Sequence, residues 1–241
     1  MYSYEDVFSD KKRVLFVMAH PDDIDVFYGG TLARLIKDQK EAFVLIMTNG
    51  ALGSKDKGVS PEELAKIRLE EQKEAFKIMG LPLQSFRISD HHDGEIEDSL
   101  EIIGEVAREI RRFRPDIVCT QNTNGFYLPS VKVGRHFINH RDHRNTGLAT
   151  LDAIYPFSRD RSFFPEQIQE GLSPHSVLEV VVADRMNDNL RVDLTSVIEQ
   201  KRKALLSHQS QFSRELVEEI LSEMREGNVY FEKLFYFKLA W

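Results

Sequence analysis

An apolar run, Val14-Leu-Phe-Val-Met-Ala19, ends abruptly in His20-Pro-Asp-Asp23, and Gly29-Gly30 follow shortly after. An imidazole and two carboxylates in one tight turn are groups that bind divalent metals and move protons. Neighbouring side chains in such a turn point different ways, so one carboxylate can bind a metal while the other faces a substrate. A second cluster, His140-Arg-Asp-His143, lies far downstream. Residues three apart share one face of a helix or tight turn, so His140 and His143 can act on the same space. Joined, the two clusters suggest a metal held by three protein ligands with an open position. A solvated turn would explain the acids, since Asp and Pro are turn formers, but not the histidine at the strand end. Asp142, between the two histidines, reads as a solvated or capping residue.

Such groups work only if a frame brings them together, and the chain alternates strand and helix patterns. Residues 13–19 and 42–48 are continuous apolar runs, expected of strands buried on both faces. A helix is expected from Gly29 to about Lys37. Ser60-Pro-Glu-Glu63 is a capping box with proline at the first helical position, and Gly80 and Pro82 should end that helix after Met79. Residues 83–88 form a weaker strand. A helix opens at Asp98 or Ser99 and carries Ile102, Ile103, Val106, Ile110 and Phe113 on one face. Strands follow at 116–120 and 176–183, with a helix between them from Arg141 to Ile154. From Leu194 one or two helices are expected, broken near His208 to Ser213. The aromatic segment Phe231 to Trp241 should dock on the body. This alternation predicts an α/β fold: a Rossmann-like, mostly parallel sheet with helices on both faces, in a single domain over residues 1–241. Ligands in such folds sit beyond the carboxyl ends of the strands, where His20 falls. The segments Gly50 to Ser60 and Asn122 to Asn139 follow strands and are candidate walls or lids.

The composition excludes several classes. The 241 residues suffice for one large domain with a substantial core. A net charge of -7 argues against sequence-independent nucleic-acid binding, which needs a basic face. No apolar run approaches the ~20 residues of a membrane span. No secretory signal opens the chain, and the single cysteine, Cys119, fits a reducing cytoplasm. A homo-oligomer is allowed by everything in the sequence.

Ala19-His-Pro-Asp-Asp23, Gly29-Gly-Thr-Leu-Ala33 and His140-x-Asp-His-Arg144 resemble the PIG-L/LmbE-like metal-dependent de-N-acetylases. The likeness continues through Arg68, Asp93-Gly94, Arg114-Pro-Asp116, Lys203-Ala-Leu-Leu206 and Ser210-Gln-Phe212, and so covers most of the chain. It implies a hydrolase that removes an acetyl or related acyl group from an N-acetylglucosamine-type conjugate, a small amino-sugar molecule. It implies zinc held by His20, Asp23 and His143, with Asp22 as general base. His140 would stabilise the oxyanion or protonate the leaving group. Iron(II) fits the same donors. Many relatives carry an acid directly after the paired aspartates; here that residue is Ile24, and the next acid is Asp25. Physics supports this division of roles, because a metal bound by three protein ligands acidifies a water that a carboxylate can deprotonate. Either Asp22 or His140 could then protonate the leaving amine.

Arg68 falls on the inward stripe of its helix with Leu64, Ala75 and Ile78, where a charge needs a partner or a ligand. It is expected to hold an anionic or polar part of the substrate. Asp93 is expected to bind substrate hydroxyls. Ser89-Asp-His-His-Asp93 offers a competing reading as a DHH-type manganese phosphoesterase. A metal-free Rossmann-like binding module is the non-enzymatic alternative, although the first strand–helix turn lacks Gly-x-Gly-x-x-Gly.

Overall fold

The apolar runs become the strands of one mixed sheet, in a computed structural model that describes residues 1–54, 58–123, 125–130 and 135–240. Parts of both expected loops, 55–57, 124 and 131–134, and Trp241 lie outside the described residues. In chain order the elements are β1 (Tyr2–Ser3), α1 (Tyr4–Phe8), β2 (Arg13–Met18), α2 (Asp23–Lys37), β3 (Glu41–Thr48), α3 (Pro61–Met79), a 3-10 turn (Leu83–Ser85) and β4 (Phe86–His91). Then come α4 (Leu100–Phe113), β5 (Ile117–Gln121), β6 (Tyr127–Ser130), β7 (Arg135–Ile138), α5 (Arg141–Asp152), a π-turn (Ala153–Phe157) and α6 (Pro165–Gln169). The chain closes with β8 (Glu179–Ala183), β9 (Leu190–Asp193), α7 (Ile198–Ser207), α8 (Arg214–Glu223), β10 (Arg225–Glu226) and β11 (Val229–Lys238).

The main sheet runs β1-β9-β11-β8-β5-β2-β3-β4. From β8 to β4 every neighbour is parallel. β11 breaks the pattern, antiparallel to β8, to β9 and to the short β10 beside it. β2 is buried from Val14 to Met18, and its alternate residues enter two separate cores. Val14, Phe16 and Met18 pack with Ile24, Tyr28, Leu32 and Phe76 from α2 and α3. Leu15 and Val17 pack with Ile103, Val106, Ile110 and Ala149 from α4 and α5. Each such aliphatic or aromatic side chain contributes about 1.5–3 kcal/mol on burial. Helices therefore cover both faces, as the continuous apolar runs require.

Three local expectations change. α2 begins at Asp23, not Gly29, because the His-Pro-Asp-Asp turn feeds straight into the helix. The glycine pair has a packing role instead: a Cβ on Gly30 would lie 2.2 Å from Leu194 Cδ2. The strand expected at 83–88 starts at Phe86 and extends to His91, which carries Asp93 to its carboxyl end. The C-terminal aromatic segment does not merely dock; it enters the sheet between β8 and β9. The capping box at Ser60 and Glu63 and the left-handed Gly80 bound α3 as expected.

β11 brings one buried charge with it. Glu232 accepts from the Gly30 and Thr31 N–H groups at 2.7 and 2.8 Å and from Lys201 Nζ at 2.7 Å. Lys201 also donates to the Val26 carbonyl at 2.8 Å. Both members of the pair are buried. Lys201→Met is expected to lower stability by about 3–5 kcal/mol, because it strands a buried carboxylate. Urea unfolding measures this; a change below about 1 kcal/mol would show that the pair is dispensable.

Candidate active site

β2 is the switch point of the sheet, since the chain continues to β3 on one side and β5 lies on the other. A crevice opens at the carboxyl ends of strands at such a point. The Ala19 peptide is pinned there from both neighbours. Its N–H donates to Gln121 Oε1 at 2.9 Å, and its carbonyl accepts from the Thr48 N–H at 2.9 Å. His20 follows directly and is buried. Asp22 turns the chain with φ of 89°, a region that side chains other than glycine rarely adopt. Such a conformation costs about 1–3 kcal/mol and persists only where surrounding bonds hold it. Here the Asp22 N–H donates to Gln72 Oε1 at 2.8 Å, and the Asp22 carbonyl accepts from the Asp25 and Val26 N–H groups as α2 begins.

The turn meets the start of α5. His20 Nδ1 lies 3.2 Å from His143 Nε2, and His143 Nε2 lies 3.1 Å from Asp23 Oδ1. His20 Nδ1 is 3.4 Å from the other Asp23 oxygen, which also accepts the His20 N–H at 2.7 Å. Ligand bonds of ~2.0–2.1 Å in a tetrahedral site imply ligand separations of about 3.3–3.4 Å. One donor atom from each of His20, Asp23 and His143 lies within 4.8 Å of the other two, a spacing that admits a zinc-like ion. The outer atoms of both rings are also engaged: His20 Nε2 faces Asp93 Oδ1 at 3.1 Å and Asp142 Oδ2 at 3.3 Å, while His143 Nδ1 faces Asn139 Oδ1 at 3.3 Å. Metal-binding histidines are oriented in this way. The Phe27 ring lies edge-on to His143, 5.8 Å between centroids.

The charges fit a cation. Asp22, Asp23, Asp93 and Asp142 are all buried around His20. Burial opposes a charged imidazole at His20, yet its bonds to Asp142, Asp23 and Asp93 hold its pKa well above the ordinary value. Burial pushes the Asp22 carboxyl up to about 6; Arg68 opposes the rise and the Asp23 charge adds to it. At Asp93 burial is outweighed by the hydrogen bond to His20, and the carboxyl falls to about 2. A ring of buried acids around a protonation-prone imidazole is an electrostatic hole for a divalent ion. The residues present thus fit a metal in charge, donor type and spacing.

Asp142, expected as a solvated or capping residue, is neither in solvent nor, since His140 takes that place, the cap of α5. It is fully buried and accepts from the Gly94 and Ile96 N–H groups at 2.6 and 3.2 Å. The first turn of α5 meets the loop after β4, so the side chain there is covered by that loop rather than by water. His140 caps α5 and stays exposed, its ring 4.9 Å from that of His20. Its Nδ1 accepts the Asp142 N–H at 3.2 Å, which leaves Nε2 to carry the proton. Burial and the charges of His20 and His143 hold its pKa below the ordinary value.

Arg68 lies on the inward stripe of α3, and its located bonds are internal. Its guanidinium reaches Asp22 Oδ2 at 3.0 Å, the Gly50 carbonyl at 2.9 Å and the Pro21 carbonyl. Gly50 has φ of 65°, and a Cβ there would sit 2.2 Å from Arg68 Nη1, so the turn must be glycine to admit the arginine. Arg68→Ala is expected to destabilise the protein by about 3 kcal/mol. That is the low end for breaking a buried pair, because Asp22 can relieve the loss by taking up a proton. Unfolding curves and Michaelis parameters check this. Unchanged stability with only a raised KM would assign Arg68 to the substrate. Asp93, expected at substrate hydroxyls, places one oxygen on His20 and the other on the Leu52 N–H at 2.9 Å.

The histidines of the competing motif lie elsewhere. His91 pairs with Glu105 at 2.6 Å. Among the described residues, both groups able to hold a metal contain His20, and neither contains His91 or His92. Gln72, Asn139, Gln121 and the buried face of Asp142 support the site without having stood out in the sequence. A glutamine on the inward stripe of α3, one turn after Arg68, was the available signal.

Known proteins resemble this chain over different spans. Residues 15–154 match the GlcNAc-PI de-N-acetylase family, PIG-L. The diacetylchitobiose deacetylase of Thermococcus kodakarensis is 31% identical, over 97% of this chain and 82% of its own length. The structure of N,N'-diacetylchitobiose deacetylase from Pyrococcus horikoshii, complexed with its inhibitor, aligns with a TM-score of 0.85 at 27% identity, covering 98% of this chain and 87% of that one. The hydratase GalB of Pseudomonas putida shares the fold alone, at 18% identity with a TM-score of 0.75 over 95% of this chain and 97% of its own. One fold thus carries different reactions, and the site must decide between them. With that site, and with a family match over more than half its length, this chain belongs to the PIG-L family of metal-dependent deacetylases.

Proposed function

We propose that this protein is a zinc-dependent N-deacetylase that hydrolyses the acetamide, or a related amide, of an N-acetylglucosamine-type sugar. The observation that carries the proposal is the His20–Asp23–His143 triangle with Asp22 beside it. Mixed nitrogen and oxygen donors favour zinc, and iron(II) suits the same set. When bound, the metal supplies an acidified water and polarises the amide carbonyl.

The remaining steps fall to the chain. Asp22 accepts the proton of the attacking water, as a carboxyl tuned toward neutral pH does efficiently. His140, neutral and protonated on Nε2, donates a hydrogen bond to the carbonyl oxygen as charge develops there. Asp22 then passes its proton to the departing nitrogen, because a neutral His140 has no surplus proton to give. Asp93 and Asp142 keep His20 in the tautomer that presents Nδ1. Arg68 keeps Asp22 aimed at the water, and any contact it makes with substrate is added to that task. We read the whole of residues 1–241 as one domain, a reading supported by β8, which pairs with β5, and by β11, which pairs with β8 in the same sheet. A cytoplasmic location accords with a lone buried thiol and with the absence of any helix among the described residues long and apolar enough to cross a membrane.

The test is a panel assay. Zinc-loaded protein is incubated with N-acetylglucosamine, diacetylchitobiose and N-acetylglucosaminyl conjugates, and free amine and acetate are measured. Equal release of both from at least one compound is expected. No release from any of them by protein carrying one bound metal would overturn the proposal.

A further inference from the structure

The groups that hold Asp22 in its unusual backbone conformation extend into a buried chain of side chains. The Asp22 N–H donates to Gln72 Oε1 at 2.8 Å. Gln72 Nε2 donates to Asp25 Oδ2 at 2.9 Å. The same oxygen receives His208 Nε2 at 2.9 Å. Gln72, Asp25 and His208 are fully buried, although polar groups are costly to bury. His208 lies just after α7, on the turn that breaks the C-terminal helices and outside the residues matched to the family. None of the three is a member of the metal triangle.

We infer that Gln72, Asp25 and His208 form a positioning relay that fixes the turn at Asp22, and with it the aim of the catalytic carboxylate. The inference rests on the reading of Asp22 as general base. A glutamine amide has one accepting end and one donating end. Asp22 offers Gln72 an N–H, so the amide must present its oxygen there. Asp25, an acceptor, decides that orientation by taking the NH2 group. A reversed amide would set donor against donor at Asp22 and acceptor against acceptor at Asp25. His208 in turn anchors the Asp25 carboxylate. Without the relay, Asp22 can relax from φ of 89° to an ordinary negative value, which swings its side chain away from Arg68. Misplacement of a catalytic group by about 1 Å costs on the order of 100-fold in rate.

The test compares Gln72→Met, Gln72→Glu, Asp25→Leu and Asp25→Asn with Asp22→Asn, measuring kcat, KM and bound metal for each. Gln72→Met and Asp25→Leu should lose about 10- to 100-fold in kcat, with KM and metal content unchanged. Asp25→Asn keeps an oxygen that accepts from both Gln72 and His208, and should restore kcat to within about threefold of the parent. If a leucine or methionine variant does not fold, Gln72→Glu decides. It keeps size and the acceptor at Asp22; protonated, it can still donate to Asp25, but once ionised it sets acceptor against acceptor there, so kcat should fall as pH rises, where the parent holds its rate. Parental kcat in a metal-loaded Gln72→Met, parental kcat in Gln72→Glu at every pH, loss of metal instead of rate, or a change in KM alone would overturn the relay. Equal loss in Asp25→Asn and Asp25→Leu would also overturn it, since orientation would then not be the cause. If Asp22→Asn itself keeps parental kcat, the reading of the base fails, an outcome separate from failure of the relay.

Discussion

Asp22→Asn is expected to slow turnover by about 10²- to 10⁴-fold while leaving one metal bound per chain. Asparagine keeps the shape of the side chain, its accepting oxygen for Arg68 and the backbone N–H that Gln72 holds. It cannot accept a proton from water. The pH profile gives a second readout. The base works only when ionised, so activity supported by Asp22 falls as pH drops through its pKa. Burial places that pKa at about 6 in the metal-free chain, and a neighbouring dication favours the ionised form and moves the limb lower. The residual rate of the asparagine variant should lack that acidic limb. Near-parental kcat with full metal content would place the base elsewhere.

His143→Ala and His140→Ala should behave in opposite ways, although the two histidines are three residues apart. His143 closes the triangle with His20 and Asp23. Its removal leaves two ligands, and the protein should lose its metal on dialysis and with it all measurable activity. His140 lies exposed at the edge of the site. Its removal should leave the metal bound and cost about 10²- to 10³-fold in kcat, as loss of one oxyanion donor does. Metal analysis and kcat of the two variants decide between the candidate ligand groups. If His140→Ala loses the metal and His143→Ala retains it, the ion belongs to His20, His140 and Asp142 instead.

Much of this was legible in the chain. The buried strands announced themselves as unbroken apolar runs, because a strand covered on both faces has no polar side to show. The capping box at Ser60 and the glycine after Met79 bounded α3. Motifs local in sequence, such as His20-Pro-Asp-Asp23 and His140-x-x-His143, carried metal-type chemistry because their residue types and spacing are the chemistry. Elements set by distant partners were harder to read. β11 carries Glu232 and Lys233 among its aromatics, and its place inside the sheet follows from what Glu232 meets on α2 and α7.

The sequence by itself determined the class of fold, the turn that bears His20 and the two aspartates, and the pair of histidines to join it. The tertiary structure alone decided which partners these groups meet. Asp142 looks like a surface acid in the chain and becomes a buried partner of His20 because α5 packs its first turn against the loop after β4. Arg68 and Asp93, read as substrate contacts, have their located bonds on Asp22 and His20. Gln72, Asp25 and His208 carry no motif, yet they meet because α3, α2 and the turn after α7 converge beneath Asp22. Side-chain identity and local spacing are written along one dimension. The partner that satisfies a buried polar group is chosen by packing in three, where a contact can join residues 183 positions apart.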